Sequence, residues 1–180
     1  MTESIMIAGR PVGVNHPCLI IAEAGVNHNG HLDLALKLVD AASEAGADVV
    51  KFQTFSADTL VSRDAPQFPY ALEGGEGAVG QYEMLRRLEL PHEMHGPIRE
   101  RCEQRGIVFL STPFHETDAD WLEAFGVPAF KIPSGEITNL PFVRHVAAKG
   151  RPVILSTGMA TLAEVDRAVE AVAASGNGEL

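Results

Sequence analysis

The chain is poor in cysteine and in basic residues, and it has no long apolar run; each shortage removes a class of protein. Its two cysteines, Cys18 and Cys102, stand far apart without metal-ligand spacing. They offer neither a disulfide framework nor a zinc site, and they fit a reducing compartment. Fourteen Lys and Arg face twenty-four Asp and Glu, a formal net charge of −10. That balance argues against nucleic acid or an anionic membrane as the main partner. A small anion stays open, because lysines gathered in a cleft outweigh the global field locally. No apolar run approaches the roughly 18 residues of a membrane span. The opening "MTESIMIAGRPVG" lacks the basic-then-apolar layout of a signal peptide. A cytoplasmic protein is expected.

What is present is a globular composition: 180 residues, 46% hydrophobic and 21% charged, enough for one domain with a core. Five β-type runs recur, "CLIIAEAG" (18–25), "DVVKFQTF" (48–55), "IVFLSTPF" (107–114), "PAFKIPSGE" (128–136) and "PVILSTGM" (152–159). Helix-period segments separate and follow them, and four of these stop at a glycine, Gly46, Gly106, Gly126 and Gly150, the expected helix C-terminus. Strands alternating with helices imply a parallel sheet buried on both faces.

Phase chooses between an open doubly wound sheet and a closed barrel. Every second residue gives Leu19, Ile21, Glu23; Val49, Lys51, Gln53; Val108, Leu110, Thr112; and Ile154, Ser156. One parity runs apolar and turns polar at the carboxyl end, as in strands that fill a barrel and then present functional groups at its top. No G-x-G-x-x-G turn follows the first strand, which lowers the dinucleotide-binding alternative. The fold class expected is α/β, a (β/α)₈ TIM barrel of which this chain supplies about five βα units. Residues 1–17 read as a hairpin or cap at the barrel's bottom and 18–180 as the partial barrel. The connection from Ser56 to Leu90, with "EGGEGAVG", is long enough to be read as a lid over the strand ends.

The strand ends carry Glu23, Lys51 with Gln53, Thr112, Lys131 with Ser134 and Glu136, and Ser156 with Thr157. If the strands close, these converge on one mouth. Two lysines and several hydroxyls suit a phosphate or carboxylate, and two carboxylates beside them suit proton transfer. Taken singly, each is equally well an ion pair or cap. Together they are costly to bury unless they are paired or meet a ligand. A lysine at a barrel strand end also suits Schiff-base chemistry.

The runs "IIAEAGVNHNG", "GADVVKFQTF", "FLSTPF", "KIPSGEITNLP" and "VILSTGMAT" resemble, in order and spacing from Cys18 to about Ala168, the signatures of the sialic acid synthases. That group makes N-acetylneuraminate, legionaminate and pseudaminate from phosphoenolpyruvate and an amino sugar. "KIPSGEI" is more similar to the neuraminate and legionaminate branches than to the pseudaminate branch.

The resemblance implies a TIM barrel and a metal-dependent condensation. Carbon 3 of phosphoenolpyruvate attacks the open-chain aldehyde, water adds at carbon 2, and phosphate leaves by C–O cleavage. It further implies that Lys51, Thr112, Lys131, Ser134 and Ser156 hold the phosphate and carboxylate, that Glu23 and Glu136 lie near the reacting carbons, and that Gln53 adds a polar contact. A divalent metal, Mn²⁺ or Mg²⁺, is implied as cofactor, but the histidine segments that hold it in the family have no counterpart here. The later strands and the C-terminal antifreeze-like domain are likewise absent. In full-length form a homodimer is implied, with neither nucleic acid nor membrane as partner. A Schiff-base aldolase on the same barrel and an inactive, anion-binding synthase fragment are the alternatives.

His28, inside "NHNG", is read as part of a turn rather than as an activated base. His92, His95, His115 and His145 are read as surface residues. Tyr70 and Tyr82 have two readings, closing over a sugar or packing the long connection onto the barrel.

Overall fold

The structure is a computed structural model that describes residues 4–66 and 80–177. A two-stranded antiparallel hairpin opens it, β1 (Ser4–Ile7) and β2 (Arg10–Gly13). Parallel strands and helices then alternate: β3 (Ile21–Gly25), α1 (Leu32–Glu44), β4 (Val49–Thr54), the short α2 (Ala57–Leu60) and α3 (Gln81–Arg87), then α4 (His92–Arg105). They continue with β5 (Val108–Pro113), α5 (Glu116–Phe125), β6 (Phe130–Ile132), a 3₁₀ turn at Ser134–Glu136, α6 (Leu140–Ala147), β7 (Val153–Leu155) and α7 (Leu162–Ala174). The βα alternation and the partial parallel barrel expected from the sequence are present.

Local chemistry sets the boundaries. Gly106 and Gly126 cap α4 and α5 at φ 66° and 92°, a region that costs other residues more than glycine. At the start of α7, Thr161 accepts from the Glu164 N–H while Glu164 accepts from the Thr161 N–H, a reciprocal cap. β6 is shorter than the sequence run suggested. Pro133 follows Ile132, cannot donate to a ladder, and turns the chain, so Ser134 and Glu136 stand on the 3₁₀ turn and not on the strand.

The strand order is β3-β4-β5 in one parallel sheet and β6-β7 in another, and β5 and β6 lie side by side without a ladder between them. The two faces of the strands bury different cores. Val50, Phe52, Phe109, Phe130, Ile132 and Val153 face the helices and join Ala35, Val39, Ile98, Leu122, Val143 and Val146. Val49, Leu110 and Ala129 face the other way, with Leu19, Ile21, Val108 and Ile154 against them, and Ile7 of the hairpin closes that interior. The parity read from the sequence is thus the inward-facing one. Asp48, just before β4, fixes the hairpin at the amino ends of the strands. It pairs with Arg10 and accepts the Ile20 N–H at 2.7 Å, and these contacts hold its carboxyl below the usual range, the Ile20 bond contributing most.

Between β3 and β7 the wall is open, and a cleft of about 670 Å³ runs along it, lined by apolar residues such as Ile5, Val12, Leu19, Ile154, Val165 and Val169. Among the described residues no helix is long and apolar enough to cross a membrane. Tyr70 and most of "EGGEGAVG" lie outside the described residues, and with them most of the connection read as a lid. Tyr82 packs within the connection itself: it is buried, its hydroxyl donates to Asp58 at 2.8 Å, and Arg63 lies over its ring.

Candidate active site at the carboxyl ends of the strands

Glu23 and Lys51 are register partners on β3 and β4, directly across the ladder. Two residues further along β4, Gln53 stands opposite Thr112 of β5. Lys51 is thereby flanked on both sides: its Nζ lies 2.5 Å from Glu23 Oε2 and donates to Thr112 Oγ1 at 3.1 Å. The pair is asymmetric. The Lys51 side chain is 9% exposed, whereas that of Glu23 is 55% exposed, so the carboxylate faces the mouth and the ammonium sits beneath it.

Gly25 makes room for this arrangement. A Cβ there would stand 3.3 Å from Glu23 Oε1 and 3.6 Å from Gln53 Nε2, and its φ of +53° already favours glycine. The two polar groups therefore share the space over Gly25, at a bulge that interrupts the β3–β4 register.

Lys131 approaches from β6. Its Nζ donates to the carbonyl of Ile132 at 2.9 Å, a bond that leaves its charge uncompensated. Burial pulls the ammonium down from 10.5 to about 8; the nearby Lys51 adds to the effect and Glu23 opposes it. Among the described residues, two lysines thus share one carboxylate, and the mouth holds more positive charge than it neutralises.

Ser134 and Ser156 border the same region. A Cβ on Gly158 would meet Ser134 Oγ at 3.4 Å, which places that hydroxyl beside the loop leaving β7, and the Ser156 N–H donates to Ile132 O at 3.1 Å. Glu136 follows on the 3₁₀ turn: its Oε2 accepts from Asn139 Nδ2 at 2.8 Å, and Asn139 caps α6. Of the expected residues, Glu23, Lys51, Gln53, Thr112 and Lys131 are gathered, Ser134 and Ser156 stand at the edge, and Glu136 faces the α6 cap.

The histidines divide. His28 is fully buried in its turn, its Nδ1 accepts the Gly30 N–H at 3.0 Å, and its Nε2 has no hydrogen-bond partner. Desolvation lowers its pKa, with His31 adding to the effect. His92 is exposed and stacks on Trp121, His115 accepts the Thr117 N–H at the start of α5, and His145 lies 2.6 Å from Asp120. His95 overturns the surface reading: it is 0% exposed, because its position on α4 faces the strands and the rings of Phe109, Trp121 and Phe125 enclose it. Its hydrogen-bond partner Thr54, and Ser111, which bonds Thr54 in turn, escaped the sequence reading as well. The "ST" dipeptide at Ser111–Thr112 was the available signal, since alternation sends one hydroxyl inward and the other to the helices.

A parallel α/β wall whose strands end in lysines, a carboxylate and hydroxyls defines a barrel-type scaffold with a polar site at its carboxyl ends. The fold matches two solved relatives: spore coat polysaccharide biosynthesis protein SpsE of Bacillus subtilis (TM-score 0.80, 39% identity, 98% of this chain and 46% of that one) and the N-acetylneuraminic acid synthetase of Leptospira borgpetersenii, solved with citrate (TM-score 0.85, 30% identity, 98% and 57%). Residues 38–180 match the NeuB family, and the chain belongs to it. The N,N'-diacetyllegionaminic acid synthase of Legionella pneumophila is 51% identical over 91% of this chain and 46% of its own length. Human N-acetylneuraminate-9-phosphate synthase is 37% identical over 89% and 44%. The chain thus spans about half the length of the curated relatives it matches.

Proposed function

We propose that this chain serves a nonulosonic acid synthase, holding phosphoenolpyruvate for condensation with an N-acetylated amino sugar and water to give a sialic-acid-type product and phosphate. The observation that carries this reading is Lys51, held between Glu23 and Thr112 with the half-buried Lys131 beside it. A trianionic enolpyruvyl phosphate supplies the negative charge this mouth lacks, and charge-assisted bonds in a desolvated site are stronger than neutral ones. The synthase names of the relatives support the same class of chemistry.

In this reading Lys51 and Lys131 neutralise the phosphate and carboxylate, with Thr112, Ser134 and Ser156 as donors. Carbon 3 bonds to the sugar's aldehyde carbon, water adds at carbon 2, and the C–O bond to phosphate breaks, so atoms balance without an external oxidant. Glu23 is the favoured proton acceptor for that water because its carboxylate is open to the mouth, and Glu136 is the second candidate. Gln53 shares the space beside Glu23 and adds a polar contact at the same mouth. Among the described residues no group of three or more His, Cys, Asp or Glu could hold a metal ion. The divalent cation implied by the family resemblance therefore has no ligand set there, and no step here passes through it.

Isothermal titration of phosphoenolpyruvate into the 180-residue chain tests the reading. Binding that weakens sharply in Lys51→Met is expected; no binding at millimolar ligand, or equal binding by the variant, would overturn it. The lowered pKa of Lys131 favours a second reading, a Schiff-base aldolase with Lys131 as nucleophile. Borohydride with pyruvate would then add a covalent mass to Lys131, and no adduct is expected under the synthase reading.

A further inference from the structure

The last rung of the β4–β5 ladder has a defect. Thr54 stands opposite Pro113, which brings no N–H to the ladder. Side chains on the helix-facing side bridge the two strands at this point. Ser111 Oγ lies 2.7 Å from Thr54 Oγ1, and Thr54 Oγ1 lies 2.9 Å from His95 Nε2. His95 Nδ1 lies 3.1 Å from the carbonyl of Pro91, so that nitrogen carries the proton and donates. The remaining order follows from the donor and acceptor inventory: Thr54 donates to Nε2, and Ser111 donates to Thr54. All three residues are at most 1% exposed.

A polar chain in such surroundings is not needed for packing alone, since apolar groups of the same shape often serve as well. Its location supplies another reason for it. Thr112 follows Ser111 and Gln53 precedes Thr54, so each hydroxyl of the outer chain is one residue from the inner groups beside Lys51. Shifting the end of β5 against β4 would move Thr112 Oγ1 away from Lys51 Nζ.

We infer that Ser111, Thr54 and His95 are positioning residues, a hydrogen-bond chain behind the sheet that holds the carboxyl ends of β4 and β5 in the alignment that sets Thr112 on Lys51. Burial supports the neutral ring this needs, because it holds the pKa of His95 at about 4. The inference rests on the proposed anion site for its functional meaning, but the Lys51 environment can be read without any ligand.

The test compares Thr54→Val, which keeps the shape and removes both bonds, with Thr54→Ser, which keeps the hydroxyl. In chain carrying ¹³C-labelled lysine, the Lys51 side-chain resonances, assigned with Lys51→Arg, should move in Thr54→Val and return in Thr54→Ser. Phosphoenolpyruvate affinity should fall about tenfold in Thr54→Val, the loss of about one hydrogen bond, and stay within about twofold in Thr54→Ser. A lower melting temperature with unmoved Lys51 resonances would mean a merely structural chain and overturn the inference. Absence of wild-type binding would sink the anion-site reading, while the lysine spectra would still decide this one. Should Thr54→Val fail to fold, Ser111→Ala, which leaves His95 bonded to Thr54, is judged by the same spectra: moved resonances support the inference and unmoved ones overturn it.

Discussion

Val49 and Lys51 are two residues apart on β4 and face the same interior, yet they sit in opposite kinds of environment. Val49 is packed among Ile7, Leu110 and Ala129, with the hairpin closing the space below. Lys51, about 7 Å further along, meets one carboxylate and one hydroxyl and shares them with a second lysine. The amino end of the interior is apolar, closed below by the hairpin and open only along the cleft between β3 and β7. The carboxyl end is electrostatically unfinished, because burying two ammonium groups against one open carboxylate costs free energy that only an anion returns. One end supplies stability and the other holds the charge in place for a ligand.

If that division holds, the two ends can be damaged separately. The largest effect is expected from Leu110→Ala, which hollows out the apolar end. Losing a fully buried leucine typically costs 2–5 kcal/mol of stability, here about a third of an ordinary domain's total. Urea unfolding should show the midpoint fall at constant slope. Phosphoenolpyruvate affinity, measured where the variant is still folded, should change little; a matching loss of affinity would break the comparison, because the ends would then be one unit.

Lys51→Met is the converse. It removes the buried charge and its charge-assisted bonds, which are worth about 1.5–3 kcal/mol, so affinity should fall roughly 10- to 150-fold. Stability should drop less than in Leu110→Ala, since the methylenes remain and Glu23 is already open to solvent. Calorimetry beside thermal melting separates the two readouts. A variant that binds normally but melts early would make Lys51 a structural ion pair.

Lys131 sharpens the picture through pH. Its ammonium is charged below about 7 and loses its proton as pH rises through about 8 in the free protein. A bound anion favours the charged form, so binding above pH 8 takes up a proton. Once the ligand's phosphate is fully ionised above about pH 7, affinity should therefore weaken above 8 by at most about tenfold per unit. Titrations in buffers of different ionisation enthalpy would reveal the uptake, and Lys131→Met should abolish both it and the slope. A level profile in the wild type would show that Lys131 does not face the ligand.

The inward parity was legible because period 2 and burial leave a compositional trace: Val49, Lys51 and Gln53 share a face whichever way the chain is read. The helix stops were legible for the same kind of reason, glycine being the residue that tolerates their backbone. The shortness of β6 was harder to see, because Pro133 looks like part of an apolar run until its missing N–H is weighed against the ladder. That misplacement carried Glu136 with it, from a strand end to a turn where Asn139 competes for its carboxylate. His95 was hidden for a tertiary reason. On α4 it falls among charged residues, and only Trp121 and Phe125 of α5 and Phe109 of β5, distant in sequence, make its surroundings apolar.

The smallest effect concerns a buried carboxyl away from the lysines. Asp118, in the first turn of α5, is 7% exposed, and its Oδ2 has no hydrogen-bond partner. Burial lifts its pKa from 3.8 to about 6, against the opposing backbone N–H groups of Phe114 and His115, with Glu89 adding a small push in the same direction. The fold therefore prefers the protonated form. That preference contributes stability which is fully present below the unfolded pKa near 4 and is lost as pH rises through about 6, the reverse of a salt-bridged carboxylate. Asp118→Asn keeps an acceptor and cannot ionise, so it should remove this slope and leave the protein about 1 kcal/mol more stable than wild type at pH 7. Urea midpoints at pH 5 and pH 7 decide it: wild type should weaken between them by more than the variant does. Parallel changes would mean that Asp118 ionises freely and that its surroundings are wetter than its burial indicates. The charge strain of the molecule would then be confined to the mouth, which is the stronger form of the contrast between its two ends.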